Sequence, residues 1–327
     1  MIGARDPGFV AALRQAVRGE VRSDESLARY STYRIGGPAT VLLPSDPEDV
    51  VAALGVAHRE GVPWFVVGLG SNLLFPDEGL DALVIRLGKG IDRAEGEGER
   101  WRFGAGLPAP LAARKTAQAG FGGLHVMVGV PGTVGGGVYM NAGCHGGQWS
   151  DVVETVVAVD GTGATRVFAA GEVPFAYRRS GLEGWVVLET TVRLVPTDAA
   201  LLSEQVADLF AWRQKGTPFN QPCCGSVFKN PDGSSITGAD GTPLRTAGQL
   251  IEAAGLKGAR EGGAEVSPMH ANYFVNTGGA TAVEVRTLIR RARDTVAERF
   301  GVRLEPEVKL IGRAGNYLPL DTAGAHG

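Results

Sequence analysis

Apolar residues recur at helical spacing along residues 7–17, which predicts a short amphipathic helix ending before Gly19. Residues 31–39 then read as a polar-to-glycine turn ahead of a strand at 40–43. Asp46 stands where a helix N-cap belongs, Pro47 occupies the first helical position, and that helix runs to Gly61. Strands follow at 64–67 and 82–87, so residues 1–88 form a first β-α-β lobe. A polar, glycine-bearing run at 88–100 marks a boundary. A strand at 101–103 and a helix at 108–120 open a second lobe, 89–196. Within it, residues 155–159, 164–169 and 185–195 alternate apolar and polar positions as antiparallel strands do. Pro196-Thr197-Asp198 is a second boundary. A helix at 200–214 follows, apolar at Leu201, Leu202, Val206, Leu209 and Phe210. Residues 234–246 are turn-rich and weakly apolar, an inserted surface loop or hairpin. The chain closes with a helix at 247–254, a strand at 273–276, a helix at 281–300, a strand at 307–311 and a loose tail. Arg290, Arg291 and Arg293 are expected on a solvated face of the last helix.

The stretch at 129–143, GVPGTVGGGVYMNAG, stands out because it holds Pro131 and, from Gly132 onward, five glycines. Glycine in ordered backbone is destabilising by roughly 0.5–1 kcal/mol relative to alanine, so such a run needs a reason. One reason is a tight turn that lets strands pack; the other is main chain approaching a cofactor, and the stretch alone leaves both open. A companion lies upstream, where an apolar strand enters Gly68-Leu69-Gly70-Ser71-Asn72-Leu73-Leu74. Leu73 stands where a dinucleotide fingerprint needs its third glycine, and no P-loop sequence occurs. Two separate glycine loops suggest a diphosphate held between two small lobes.

The chain of 327 residues carries 20% charged side chains and a formal net charge of −3. It lacks the concentrated basic face that phosphate-backbone binding requires, so no nucleic-acid partner is expected. Of the three cysteines, Cys144, Cys223 and Cys224, the adjacent two are unsuited to pairing, and no metal-ligand spacing exists. They read as small buried or loop thiols of a reducing compartment. His125, His145 and His270 are separated and offer no metal site. No apolar run approaches the roughly 18–20 residues needed to cross a bilayer, and the first twenty residues lack a secretory core, so a cytoplasmic location is expected.

Seven segments stand in order: Tyr33-Arg34-Ile35-Gly36-Gly37-Pro38-Ala39, the two glycine stretches, Tyr177-Arg178-Arg179-Ser180, Gly225-Ser226-Val227-Phe228-Lys229-Asn230-Pro231, His270-Ala271-Asn272-Tyr273 and Leu304-Glu305-Pro306-Glu307-Val308. Together they closely resemble the UDP-N-acetylenolpyruvoylglucosamine reductase family, over nearly the whole chain. The resemblance implies an α+β fold with a vanillyl-alcohol-oxidase-like, two-lobed FAD-binding domain and a C-terminal α+β substrate domain. It implies lobe 1 at 1–88 with a returning C-terminal segment 303–327, lobe 2 at 89–196 and a UDP-sugar domain at 197–302. It also implies non-covalent FAD, NADPH as hydride donor and a nucleotide-sugar substrate; the sequence leaves the oligomeric state unknown, with a monomer favoured.

Residue by residue, the resemblance assigns the cofactor to Tyr33, Arg34, Ile35, Gly68, Gly70, Ser71, Asn72, Pro131, Gly132, Thr133, Gly135, Gly136, Asn141, Ala142 and Gly143. Tyr177, Lys215, Gly225, Lys229, Asn230 and His270 are implied on the substrate side. Arg178, Ser226 and Glu307 are the implied catalytic groups, with Ser226 as proton donor. Some residues depart from the family's pattern: Leu69 in place of a glycine, Cys144-His145 after Gly143, Leu182 in place of an aromatic, and the 234–246 insertion. The short path from Ser180 to Pro196 leaves no room for the extra tyrosine loop of one family subtype. An oxidase or dehydrogenase of the same flavin fold, and a non-catalytic FAD or nucleotide-sugar binder, are the alternatives.

Overall fold

Capping residues decide where the first long helix begins and ends. In the computed structural model, which describes residues 3–231, 236–238, 241 and 243–322, Asp46 accepts from the backbone N–H of Asp49. The helix Pro47–Glu60 then stops at Gly61, whose φ of 66° suits a residue without Cβ. The chain divides into two units, one of Met1–Glu25, Ala39–Leu69 and Asp81–Arg213, the other of Ser26–Pro38, Gly70–Leu80 and Gln214–Gly327.

In the first unit, strand Leu83–Arg86 pairs in parallel with Pro38–Leu43 on one side and Trp64–Val67 on the other. These apolar runs are the strands expected from the sequence, extended or trimmed by a residue or two. Strand Glu20–Ser26 joins the same sheet and was not expected, since within its polar run only Val21 is buried. A five-stranded antiparallel sheet runs Thr165–Ala169, Val153–Asp160, Trp185–Arg193, Arg100–Gly104, Ala94–Glu97. Leu42, Leu54, Ile85, Phe103, Val156 and Val187 contribute to one apolar core.

One buried carboxylate ties this unit's N-terminal elements together. Asp49 accepts from Arg18 N, Gly19 N, Ser45 N and Ser45 Oγ at 2.6–2.8 Å. Burial alone raises its pKa, but these hydrogen bonds outweigh burial and hold the carboxyl below its ordinary value. A depressed carboxyl stabilises the fold above its unfolded value near 4, and that contribution is lost as pH falls through the folded value. Asp49→Asn is expected to cost about 2–3 kcal/mol at pH 7, read as a lower urea midpoint, with the gap narrowing at pH 3. A gap that stayed constant with pH would show that the charge is not what these donors hold.

The second unit is built on an antiparallel sheet ordered Cys223–Ser226, Tyr273–Asn276, Ala264–Val266, Arg260–Glu261. Helix Ala282–Phe300 buries Val285, Leu288, Ile289, Ala292 and Val296 along one face. Its N-terminus is capped by Thr281 and Glu284, and also by Asp77, whose carboxylate accepts from Ala282 N at 2.9 Å. Strand Lys309–Ile311 lies parallel to Leu73–Leu74, which joins the end of the chain to an N-terminal segment of the same unit. Residues 236–237 and 243–244 pair as a hairpin within the insertion. Its residues 232–235, 239, 240 and 242 lie outside the described residues.

Two expectations are corrected here. Of the arginines expected on a solvated face of the last helix, Arg291 is exposed but Arg290 and Arg293 are not solvated. Arg290 donates to Leu320 O and Thr322 O at 2.8 Å, and Arg293 is buried and paired with Asp294 and Asp321. The tail is therefore not loose as far as Thr322, because carbonyls and a carboxylate in it supply the acceptors these guanidinium groups need. Leu320 is buried with them.

Candidate active site

The central glycine stretch is partly helical. Val134–Tyr139 forms an α-helix with Thr133 as N-cap, its side chain accepting from Gly136 N at 3.3 Å. Glycine's poor helix propensity is overridden by packing. A Cβ on Gly135 would lie 2.7 Å from the Ala105 Cβ, and one on Gly137 2.3 Å from Trp149 Nε1. Gly136 differs from both: it faces outward, and a Cβ there would meet only Thr133 Oγ1 at 3.6 Å. The N–H groups of Val134, Gly135 and Gly137 bond to Leu107 O, Ala105 O and Thr133 O. Much of the run's main chain is thus engaged inside its own unit. In the same unit Gly68 leaves room for Thr133, whose Oγ1 lies 2.6 Å from where a Cβ would be.

Arg178 sits on a tight turn of the first unit, in which Ala176 and Arg179 exchange backbone hydrogen bonds of 3.0 and 3.2 Å. Its φ of 58° is left-handed, a conformation usual for glycine and costly for a long side chain. The guanidinium donates to Gly143 O at 3.0 Å and lies 4.8 Å from the centroid of the exposed Tyr177 ring. Asn141 is buried, with a φ of 42°. Pro131 is exposed, while Gly132, Ala142 and Gly143 are half-buried. Five non-glycine residues among those described have positive φ, and three of them, Arg34, Asn141 and Arg178, are predicted site residues. Strain of this kind concentrates at functional sites.

In the second unit, Tyr33 is fully buried and its hydroxyl finds no partner among the described residues. Burial, and then the neighbouring Cys224 and Cys223, push its pKa well above the ordinary phenol value. Asn276 holds its carbonyl at 3.0 Å. Arg34 is exposed and Ile35 buried. Gly70 has a φ of 63°, and a Cβ on it would fall 1.9 Å from Tyr30 O, so no larger residue fits. Ser71 and Asn72 are half-buried, and Asn72 O accepts from Lys309 N at 3.0 Å. The Cys224 thiol is pushed up to about 12 by burial, its hydrogen bonds to Thr32 and Leu73 only partly offsetting this. Since the thiolate is the nucleophile, Cys224 is expected to escape iodoacetamide at pH 8 in the folded protein. Tandem mass spectrometry locates the label; labelling at the denatured rate would contradict the burial argument.

Ser226 ends a strand that pairs with Tyr273–Asn276, and the register shifts between Cys223 and Ser226. Gly225, at φ 70°, supplies the left-handed residue of this bulge, and a Cβ there would meet nothing within 4 Å. The glycine serves conformation rather than space, and bulges of this kind re-aim the next side chain. On the other side, Glu307 N donates to Val227 O at 2.8 Å and Lys229 N to Glu305 O at 2.9 Å. Ser226 and Glu307, far apart in sequence, thereby lie on adjoining chains of one unit. Both are half-buried.

Asn272 holds this arrangement and was not singled out from the sequence by itself. It is buried, its Oδ1 accepts from Phe228 N at 2.9 Å, and its Nδ2 donates to Phe228 O at 2.8 Å. A buried asparagine in a turn has no local signature, so only its contacts reveal it. His270 Nδ1 accepts from Asn272 N at 3.1 Å, and its ring stands edge-on to Tyr273. Lys229 pairs with Glu305 at 2.8 Å, whereas Lys215 and Asn230 are exposed. Asn230 Oδ1 accepts from Ala247 N. A hydroxyl beside a carboxylate can move a proton, and a fixed guanidinium can hold a planar anion. Among the described residues no cluster of histidine, cysteine, aspartate and glutamate could hold a metal, and no helix is long and apolar enough to cross a membrane.

Comparison with known proteins bears on these residues. Residues 217–311 match the sequence model of the UDP-N-acetylenolpyruvoylglucosamine reductase C-terminal domain, and residues 38–169 that of an FAD binding domain. The chain is 42% identical over 305 residues to UDP-N-acetylenolpyruvoylglucosamine reductase 2 of Symbiobacterium thermophilum, covering 92% of this chain and 96% of that one. It is 43% identical to the corresponding reductase of Rubrobacter xylanophilus, covering 88% and 94%. The crystal structure of the reductase from Thermus caldophilus superposes with a TM-score of 0.75 at 34% identity, over 89% of this chain and 99% of that one.

Proposed function

The chain belongs to the UDP-N-acetylenolpyruvoylglucosamine reductase family, and on that premise we propose how its residues divide the reduction of UDP-N-acetylglucosamine enolpyruvate to UDP-N-acetylmuramate, a step of peptidoglycan precursor synthesis. The protein is an FAD-dependent oxidoreductase with NADPH as hydride donor. We assign the flavin to residues 1–88 with 303–327 and to 89–196, and the nucleotide sugar to 197–302. The two domain matches, at 38–169 and 217–311, support that division. A cytoplasmic location goes with this reading, because the protein makes a precursor for peptidoglycan inside the cell.

The residues fit a flavin nucleotide. In one unit the outward side of Gly136 leaves helix surface bare of a side chain. In the other, the Tyr33 hydroxyl is a buried donor without a partner among the described residues, a group that costs about 1–3 kcal/mol until something accepts from it. Gly68, Gly70, Ser71, Thr133 and Gly143 are the further residues assigned to hold the group. When bound, it supplies a hydride for C3 of the enolpyruvyl ether.

Hydride arrival at C3 leaves negative charge at C2, delocalised onto the adjacent carboxylate. Arg178 grips that carboxylate with parallel N–H bonds and stabilises the developing enolate. The Ser226 hydroxyl delivers a proton to C2 from one face; a hydroxyl is a weak acid, but an enolate is basic enough to take its proton. Glu307, on the adjoining chain, polarises the double bond. Lys229, Asn230, Lys215, Tyr177 and His270 are assigned to the nucleotide sugar.

The observation that supports this reading most is the backbone bond from Glu307 N to Val227 O, which joins the chain of the acid to that of the bulged serine. Anaerobic titration tests it. Protein bleached by NADPH is expected to regain its yellow colour on adding the enolpyruvyl nucleotide sugar. Colour returning only with oxygen would select the oxidase alternative, and protein that takes up no FAD would end the scheme.

A further inference from the structure

The segment 139–143 lies against the turn 176–180 in the first unit, and three side-chain hydrogen bonds join them. Ser180 Oγ donates to Tyr139 O at 2.7 Å, Asn141 Nδ2 to Ala176 O at 3.1 Å, and Arg178 Nη2 to Gly143 O at 3.0 Å. The Asn141 bond differs from the other two, because Asn141 is 1% exposed and its side chain is fully engaged. Its Nδ2 also donates to Gln148 Oε1 at 3.2 Å, and its Oδ1 accepts from Ser150 N at 3.0 Å. An amide has two N–H donors, and both are taken inside the protein. Nothing remains of its donor capacity to read a cofactor's ring edge.

From this geometry we infer that Asn141 is a positioning residue for Arg178, acting through the turn that presents the guanidinium. The inference rests on the reading of Arg178 given above. The turn is where positioning matters most. Arg178 is held at φ 58°, which costs about 1–2 kcal/mol for a non-glycine residue and persists only where the surroundings over-determine it. Ala176 O accepts both the turn's own Arg179 N–H and the Asn141 amide. Asn141 itself has φ 42°, a conformation asparagine tolerates better than most residues. Without its amide the turn is free to relax toward negative φ, and the guanidinium moves with it. A misplacement of about 1 Å at a catalytic group costs on the order of 10²-fold.

Two substitutions test the inference in the FAD-loaded full chain. Asn141→Gly keeps the left-handed backbone and deletes the amide; Asn141→Asp keeps the shape and removes both donors. Each is expected to raise hydrogen–deuterium exchange in the peptide spanning 176–180 without exposing the core strand Trp185–Arg193. Each is expected to slow re-oxidation by UDP-N-acetylglucosamine enolpyruvate by about 10–10²-fold while reduction by NADPH stays within about twofold. In an Arg178→Ala background, adding Asn141→Gly is expected to cost nothing further, as for residues acting as one unit. Losses that multiply in the double variant, unchanged exchange at 176–180, or equal slowing of both half-reactions would each overturn the proposal. Raised exchange at 176–180 in the variants, with a wild-type protein that ignores the enolpyruvyl sugar, would keep the contact and remove the function assigned to Arg178.

Discussion

Ser226→Ala is expected to leave reduction by NADPH near the wild-type rate and to slow re-oxidation by the enolpyruvyl nucleotide sugar by about 10²–10⁴-fold, the range for a lost general acid. The asymmetry is the informative part. Proton delivery to C2 belongs only to the second half-reaction, so a serine that binds or shapes the flavin would slow both. The substitution is structurally mild: among the described residues the Ser226 hydroxyl makes no hydrogen bond, and the bulge that presents it depends on Gly225. Rapid-mixing absorbance separates the two steps, and equal losses in both would remove Ser226 from its role. Solvent deuterium is expected to slow re-oxidation in the wild type and to leave reduction unaffected.

Arg178 carries the other large effect. Arg178→Gly is expected to lower turnover of the enolpyruvyl sugar by about 10²–10³-fold, as for removal of a donor aimed at developing charge. It is also expected to leave the melting temperature almost unchanged. The turn's left-handed backbone suits glycine and gains back about 1–2 kcal/mol of strain. Loss of the hydrogen bond to Gly143 O takes away about 1 kcal/mol, so the two effects roughly cancel. Arg178→Lys keeps the charge but not the planar fork that fits a carboxylate, and is expected to recover only a small part of the activity. Near-complete rescue by lysine would show that the site needs a positive charge rather than two parallel donors. A large fall in melting temperature for the glycine variant would mean that Arg178 is structural.

The candidate site could be named from the sequence because its motifs are short and local. Gly225 before Ser226, the Tyr177-Arg178 pair and the two glycine runs are all visible in the chain, and their resemblance to one reductase family holds at about 40% identity across most of it. The purpose of individual glycines was not legible. Gly135 and Gly137 make room for Ala105 and Trp149, and Gly70 for Tyr30 O, whereas Gly136 alone of the helical run has open space outside it. A glycine records that a side chain is unwelcome, not what would collide with it.

The helix capped by Asp46, the long helix ending at Phe300, the strands at 64–67 and 273–276 and the candidate motifs were legible from the sequence alone, because each depends on residues a few positions apart. Tertiary structure decided which distant partners meet: Glu307 beside Val227, Asn272 around Phe228, Asn141 under the Arg178 turn, and Arg290 and Arg293 on the C-terminal segment. Those pairings depend on which buried donors and acceptors the folded backbone leaves facing one another. No local pattern of apolar and polar residues records that register.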